Sequence, residues 1–278
     1  KDVALTIDSR LQYLLYKELE KAGRLQQARW STGMIVDVQN GEVLALSTWP
    51  SFNSNNLNEM TGENQRNRAL LDTFEPGSVM KPFTVAAALD SKKYTANSMI
   101  DTNPGSIRVR GYTIRDHRNL GMINMGTLLQ KSSNVASTKI ALSLPPDAIT
   151  NMQKQFGFGE KTPLQFPGEG SGLVVTPKEK ETSRRATVSY GYGMEATLAQ
   201  VAQAYAALAA GGVMHPLTLT KTDKPLPSKR IMEHDQAMAI VEMLESVTLP
   251  GGTAKAANID GYRVAGKTGT SLRINPDG

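Results

Sequence analysis

The 278-residue sequence has no cysteine, which removes disulfides, thiolate metal sites and cysteine nucleophiles together. Histidine is nearly as scarce. His117, His215 and His234 are scattered, without the paired spacing of a metal-dependent hydrolase, so no metal and no cofactor are expected. Aromatics are only 6% of the chain, and no apolar run reaches the roughly 18 residues that span a bilayer. A secretory signal pattern is also missing. Lys and Arg outnumber the acids 31 to 26, and this net charge of +5 comes without arginine-rich runs or interleaved aromatics. No nucleic-acid partner is therefore expected, although a mild positive field can gather an anionic substrate. The chain starts at Lys1 without Met and enters a strand-like segment at once, which reads as a fragment cut at the front and also at the back.

What is present suits a packed domain. Residues 3–7 are β-like, Asp8 is a good N-cap, and Leu11, Leu14, Leu15, Leu19 and Ala22 recur at helical spacing over residues 9–22. Asn40-Gly41 between the apolar runs 34–38 and 43–46 predicts a hairpin. Residues 48–66, rich in Asn, Ser and Pro, read as loop. Helices are expected at 79–91, 126–143, 147–156, 197–210 and 235–247, and residues 262–267 read as a strand. The 157–195 stretch shows no convincing periodicity. The whole reads as one α+β domain, with an antiparallel sheet built from both chain ends and flanked by helices. A mostly helical lobe at about 66–203 is inserted in it.

Three short motifs carry chemistry. Ser78-Val79-Met80-Lys81 follows the Pro76-Gly77 turn at the mouth of an apolar helix, where free N–H groups collect and Lys81 shares a face with Ser78. Serine there is either an N-cap or a nucleophile with a base one turn away. Ser132-Ser133-Asn134 interrupts a helical pattern, for local capping or to line a cleft; Ser51-Phe52-Asn53 and Ser54-Asn55-Asn56 share the spacing but lie in polar loop. Lys267-Thr268-Gly269-Thr270, on a late strand, is either a strand-end turn or a cation with two hydroxyls beside a glycine that admits a ligand.

In this order, Ser-x-x-Lys, Ser-x-Asn and Lys-Thr-Gly are the signature of penicillin-recognising serine enzymes. With Arg66-Asn67-Arg68, Phe74-Glu75-Pro76-Gly77, Tyr190-Gly191-Tyr192-Gly193 and Gly261-Tyr262-Arg263, the chain resembles the transpeptidase domain of class B penicillin-binding proteins. The resemblance is nearest the division (septal) type, penicillin-binding protein 3, over almost its whole length. It implies the β-lactamase/transpeptidase-like fold. It also implies a single membrane anchor and a pedestal domain outside this chain, and a catalytic domain on the periplasmic side of a bacterial inner membrane. The implied partners are peptidoglycan stem peptides, β-lactam antibiotics as covalent inhibitors, and other division proteins through segments absent here.

By that resemblance Ser78 attacks the carbonyl between two terminal D-alanines, forms an acyl-enzyme and passes the acyl group to an amine of a neighbouring stem. Lys81 is the only base within a helical turn. Working near pH 7 would need its pKa lowered by about three units, roughly 4 kcal/mol. Burial and a second cation, Lys267, both push that way. Ser132 is implied as a proton relay and Asn134 as a partner of the substrate amide. Lys267, Thr268, Gly269 and Thr270 would hold the terminal carboxylate, and the N–H groups of Ser78 and Thr270 would form the oxyanion hole. Tyr190 and Tyr192 are either cleft-wall aromatics or core tyrosines, and Arg66, Arg68 and Glu75 are expected as a structural ion-pair cluster. A serine β-lactamase or a penicillin-acylated sensor on the same fold remain alternatives. Glu160, Glu169, Glu179 and Glu181 fall where a class A lactamase keeps its deacylating glutamate, but none has the Glu-x-x-Leu-Asn setting.

Overall fold

Asp8 acts as its position predicts. In a computed structural model that describes residues 2–271, its carboxylate accepts from the N–H groups of Arg10 and Leu11 and starts helix α1 (Ser9–Leu25). The hairpin follows as β1 (Ser31–Val36) and β2 (Val43–Trp49), paired antiparallel and turned through Gly41. A short helix, α2 (Arg68–Leu71), and a 3-10 turn over Gly77–Met80 lead into α3 (Lys81–Asp90). Short strands β3 (Ile100–Asp101), β4 (Ser106–Val109), β5 (Tyr112–Arg115) and β6 (Met122–Ile123) come next. Then come α4 (Met125–Lys131), α5 (Asn134–Ser143), α6 (Ala148–Gln155), α7 (Thr182–Val188) and α8 (Leu198–Ala209). Strands β7 (Val213–Met214) and β8 (Lys229–Arg230) and helix α9 (His234–Thr248) follow, and a 3-10 turn over Lys255–Ala257 comes after α9.

These elements fall into two units that interleave along the chain. The first takes residues 1–73, 156–172 and 196–231. In it Val43, Leu70, Ala199 and Leu217 form a buried cluster flanked by Met34, Val36, Leu46 and Phe166. Gln12 of α1 clamps β2 by accepting from Leu46 N–H and donating to Leu46 O, both at 2.8 Å. The second unit takes 74–155, 173–195 and 232–278, and its buried helix α3 packs against α5, α6 and α9. Residues 66–73, 156–172 and 196–203 of the expected lobe thus group with the first unit.

Three expectations change. Residues 3–7 make a single antiparallel bridge, Leu5 to Thr220, rather than a strand. The expected helix over 126–143 breaks at Ser132, which takes the left-handed backbone at φ +57°, and Ser133 restarts it by capping Ala136 N–H at 3.0 Å. Serine and asparagine side chains compete for backbone partners, so a Ser-Ser-Asn run favours caps over a helix interior. Residues 262–267 run without a ladder partner among the described residues. They attach to α9 instead, through Thr248 Oγ1 to Val264 O at 2.6 Å and Gly266 N to Leu244 O at 3.2 Å. Helix α7 lies in a stretch that shows no periodicity because it is only two turns long.

Candidate active site

Ser78 sits in the 3-10 turn before α3, half-buried. The turn is possible because Gly77 takes φ +61°. Gly77 N–H donates to Gly191 O at 3.0 Å, and Gly191 has φ +84°. A side chain on Gly77 would strike the Thr270 carbonyl, and one on Gly191 would strike the Gly77 backbone. A Cβ on Gly269 would lie 2.8 Å from Val79 Cγ1. The turn carrying Ser78, the Tyr190–Gly193 segment and the Lys-Thr-Gly-Thr segment therefore meet backbone to backbone.

Lys81 opens α3 with no solvent exposure. Its Nζ donates to Ser132 O at 2.6 Å, Ser132 Oγ at 3.0 Å and Asn134 Oδ1 at 2.7 Å. Lys267 Nζ reaches the same Ser132 Oγ at 3.0 Å, and Thr268 O at 2.9 Å. One hydroxyl oxygen thus stands between two amines. The Ser78 hydroxyl has no hydrogen bond among the described residues, so Lys81 faces the second motif rather than bonding its turn-mate. Burial, chiefly, and then the charge of Lys267 push the Lys81 amine well below the ordinary lysine range, against an opposing pull from Asp116. Burial brings Lys267 down to about 8.

Asp116, which the motif reading passed over, holds this arrangement from behind. Its carboxylate accepts from Ser133 Oγ at 2.6 Å, Asn134 N at 2.6 Å and Val135 N at 3.0 Å, at the N-terminus of α5. Asn134 Nδ2 donates to Arg115 O at 3.3 Å. The contact spans eighteen positions of chain, so no local spacing signals it.

The remaining sites divide. Thr268 Oγ1 lies 2.8 Å from Thr253 Oγ1. Tyr192 is half-buried and donates to Thr270 O at 2.8 Å; Tyr190 is buried and meets Tyr192 edge to face at 5.7 Å. Burial raises both phenols. Glu75 is not part of the expected ion-pair cluster, because its carboxylate accepts from Gly193 N at 2.7 Å. Arg66 and Arg68 both pair with Asp72, which lies one helical turn from Arg68, and Arg68 also pairs with Glu63. Three of the four candidate lactamase acids have local partners: Glu179 with Arg185 at 2.7 Å, Glu181 with Lys178 N at 2.7 Å, and buried Glu169 with Thr162.

The profile of the penicillin binding protein transpeptidase domain matches residues 31–278. Over 277 residues the chain is 42% identical to peptidoglycan D,D-transpeptidase FtsI of Escherichia coli (strain K12), covering 100% of this chain and 47% of that protein. Over 274 residues it is 36% identical to the probable peptidoglycan D,D-transpeptidase PenA of Neisseria gonorrhoeae, covering 99% and 47%. The chain thus spans about half the length of the curated relatives it matches. Among solved structures it is similar to the TP domain of Burkholderia pseudomallei penicillin-binding protein 3, with TM-score 0.88 and 39% identity, covering 99% of this chain and 79% of that one.

Proposed function

The chain belongs to the penicillin-binding protein transpeptidase domain family, in its class B, division type, and on that premise we propose a serine D,D-transpeptidase that cross-links peptidoglycan stem peptides during septum synthesis. The observation that carries the reading is the Ser132 oxygen held 3.0 Å from both Lys81 Nζ and Lys267 Nζ.

In this reading Ser78 Oγ attacks the penultimate D-alanine carbonyl and Lys81 takes its proton. A buried amine is already biased to the neutral form, which is what a base working near pH 7 needs. The Ser78–Lys81 contact forms as substrate enters, as catalytic hydrogen bonds often tighten only in the loaded complex. The developing oxyanion is received by the N–H groups of Ser78 and Thr270; the close approach of the Gly77 backbone to Thr270 supports this pairing. The proton then passes from Lys81 through Ser132 to the departing amine, and D-alanine leaves. An amine from a second stem attacks the ester, and Ser78 recovers its proton. Asn134 bonds the substrate amide. Lys267, with Thr268, Gly269 and Thr270, receives the terminal carboxylate. Tyr190 and Tyr192 wall the cleft. β-Lactams acylate Ser78 in the same way.

None of Glu160, Glu169, Glu179 and Glu181 stands in the Glu-x-x-Leu-Asn setting of a deacylating glutamate, which favours a long-lived acyl-enzyme over a lactamase. We further propose that the whole protein carries an anchor and a pedestal domain upstream, faces the periplasm and meets division partners through those parts. Among the described residues no helix is long and apolar enough to cross a membrane. The test is a fluorescent penicillin with its adduct followed over time, alongside D-alanine release from a stem-peptide donor. An adduct at Ser78 lasting minutes to hours supports the transpeptidase, and rapid turnover of the drug would replace it with the lactamase.

A further inference from the structure

The hairpin of β4 and β5 carries a cationic face that the reaction above does not use. Its register pairs Ser106 with Arg115, Ile107 with Ile114, Arg108 with Thr113 and Val109 with Tyr112. Side chains alternate along a strand, so Ser106, Arg108, Thr113 and Arg115 share one face and the apolar residues share the other. Val109 is buried and Ile107 and Ile114 are half-buried, while Arg108 and Arg115 are exposed. Arg110 and Gly111 turn the hairpin with φ +44° and +89°, and Arg110 Nε ties the tip to Thr182 Oγ1 at 3.2 Å.

Charge on this hairpin is uncompensated. From residue 102 to 131 the sole acid is Asp116. Its two oxygens are taken by Ser133, Asn134 and Val135. Among the described residues Arg108, Arg115 and Arg118 form no ion pair. The base of the hairpin also abuts the candidate site, since the Arg115 carbonyl accepts from Asn134 Nδ2. Two diagonal cross-strand arginines on a ribbon fixed at tip and base present guanidinium forks that match carboxylates.

We propose that the Arg108–Arg115 face binds carboxylates of the acceptor stem peptide, holding the second strand while its amine reaches the acyl-enzyme. The inference rests on the transpeptidase reading. Its test uses a synthetic stem tetrapeptide with free carboxylates and its fully amidated counterpart. Affinity for both is measured at low salt on the wild-type chain and on the Arg108→Gln/Arg115→Gln variant, before and after acylation by penicillin. The free-acid peptide should bind wild type about tenfold tighter than the amide, and the variant should lose that preference. Arg108→Gln alone, at an exposed strand position, should lose part of it if the double variant fails to fold. Equal binding of the two peptides by wild type, or an undiminished preference in the variants, overturns the site. A preference abolished by penicillin acylation assigns the carboxylate to the donor and overturns the acceptor assignment. If penicillin leaves wild type unacylated, the transpeptidase reading falls, and the acid-against-amide comparison still decides the hairpin site.

Discussion

Lys81 reaches Ser132 twice, through the carbonyl at 2.6 Å and the hydroxyl at 3.0 Å, and does so from a position with no solvent exposure. The left-handed backbone of Ser132 is what turns both of its oxygens toward one amine. The pair joins the first motif to the second.

Lys81→Met keeps most of the volume and removes the amine. Labelling by fluorescent penicillin should fall below detection. The half-buried Ser132 O and Asn134 Oδ1 lose their partner, at about 1 kcal/mol each, so the thermal midpoint should drop by a few degrees. Normal labelling in this variant would take the base role from Lys81.

The acylation rate should be bell-shaped in pH for a β-lactam that carries a carboxylate. Its rising limb, from Lys81, lies below the ordinary lysine range, and its falling limb lies near 8, where Lys267 loses its charge. Lys267→Arg keeps the cation and should move the falling limb to higher pH. Both amines are lowered on folding, so between about 8 and 10.5 the unfolded chain binds more protons at residue 267 than the folded one. Stability due to this group should rise with pH across that window, and Lys267→Arg should flatten the rise. Thermal midpoints taken from pH 7.5 to 10.5 test the sign.

Asp116→Asn leaves shape nearly intact and removes a charge that accepts three hydrogen bonds. Loss of the helix cap and the charge-assisted bonds should cost about 1–3 kcal/mol in denaturant unfolding. The same change removes the group that holds the Lys81 pKa up, so the rising limb should move to lower pH. A purely structural Asp116 would lower stability and leave that limb where it is.

Gly191→Ala places a methyl against the Gly77 backbone and forces a left-handed alanine. We expect a loss of about 1–3 kcal/mol in stability from the strained backbone and an acylation rate at least about tenfold lower. Tyr192→Phe removes only the hydroxyl bond to Thr270 O, and should cost about 0.5–1.5 kcal/mol with a milder effect on rate. Stopped-flow acylation of the two variants ranks the contacts.

Local signals carried the local structure. Asp8 with its leucine spacing marked α1, Asn40-Gly41 marked the hairpin, and the paired Thr197 and Gln200 box starts α8 where periodicity predicts it. Expectations erred where the deciding partner is distant in sequence. The strand expected at 262–267 lacks a ladder among the described residues and attaches to α9 instead, and Glu75 is drawn to Gly193 across more than a hundred residues. Residue types at Ser78, Lys81, Ser132, Asn134 and Lys267 stand in the sequence as an ordered motif set. That Lys81 bonds the second motif and leaves the Ser78 hydroxyl unbonded does not.

The second unit is assembled from three stretches of chain, and Lys267 belongs to the last of them. While a ribosome is still making the chain, the Lys81 amine has no second cation beside it and the Ser132 hydroxyl has only one amine against it. A nascent polypeptide should therefore escape both substrate and drug until the stretch that carries Lys267 has emerged.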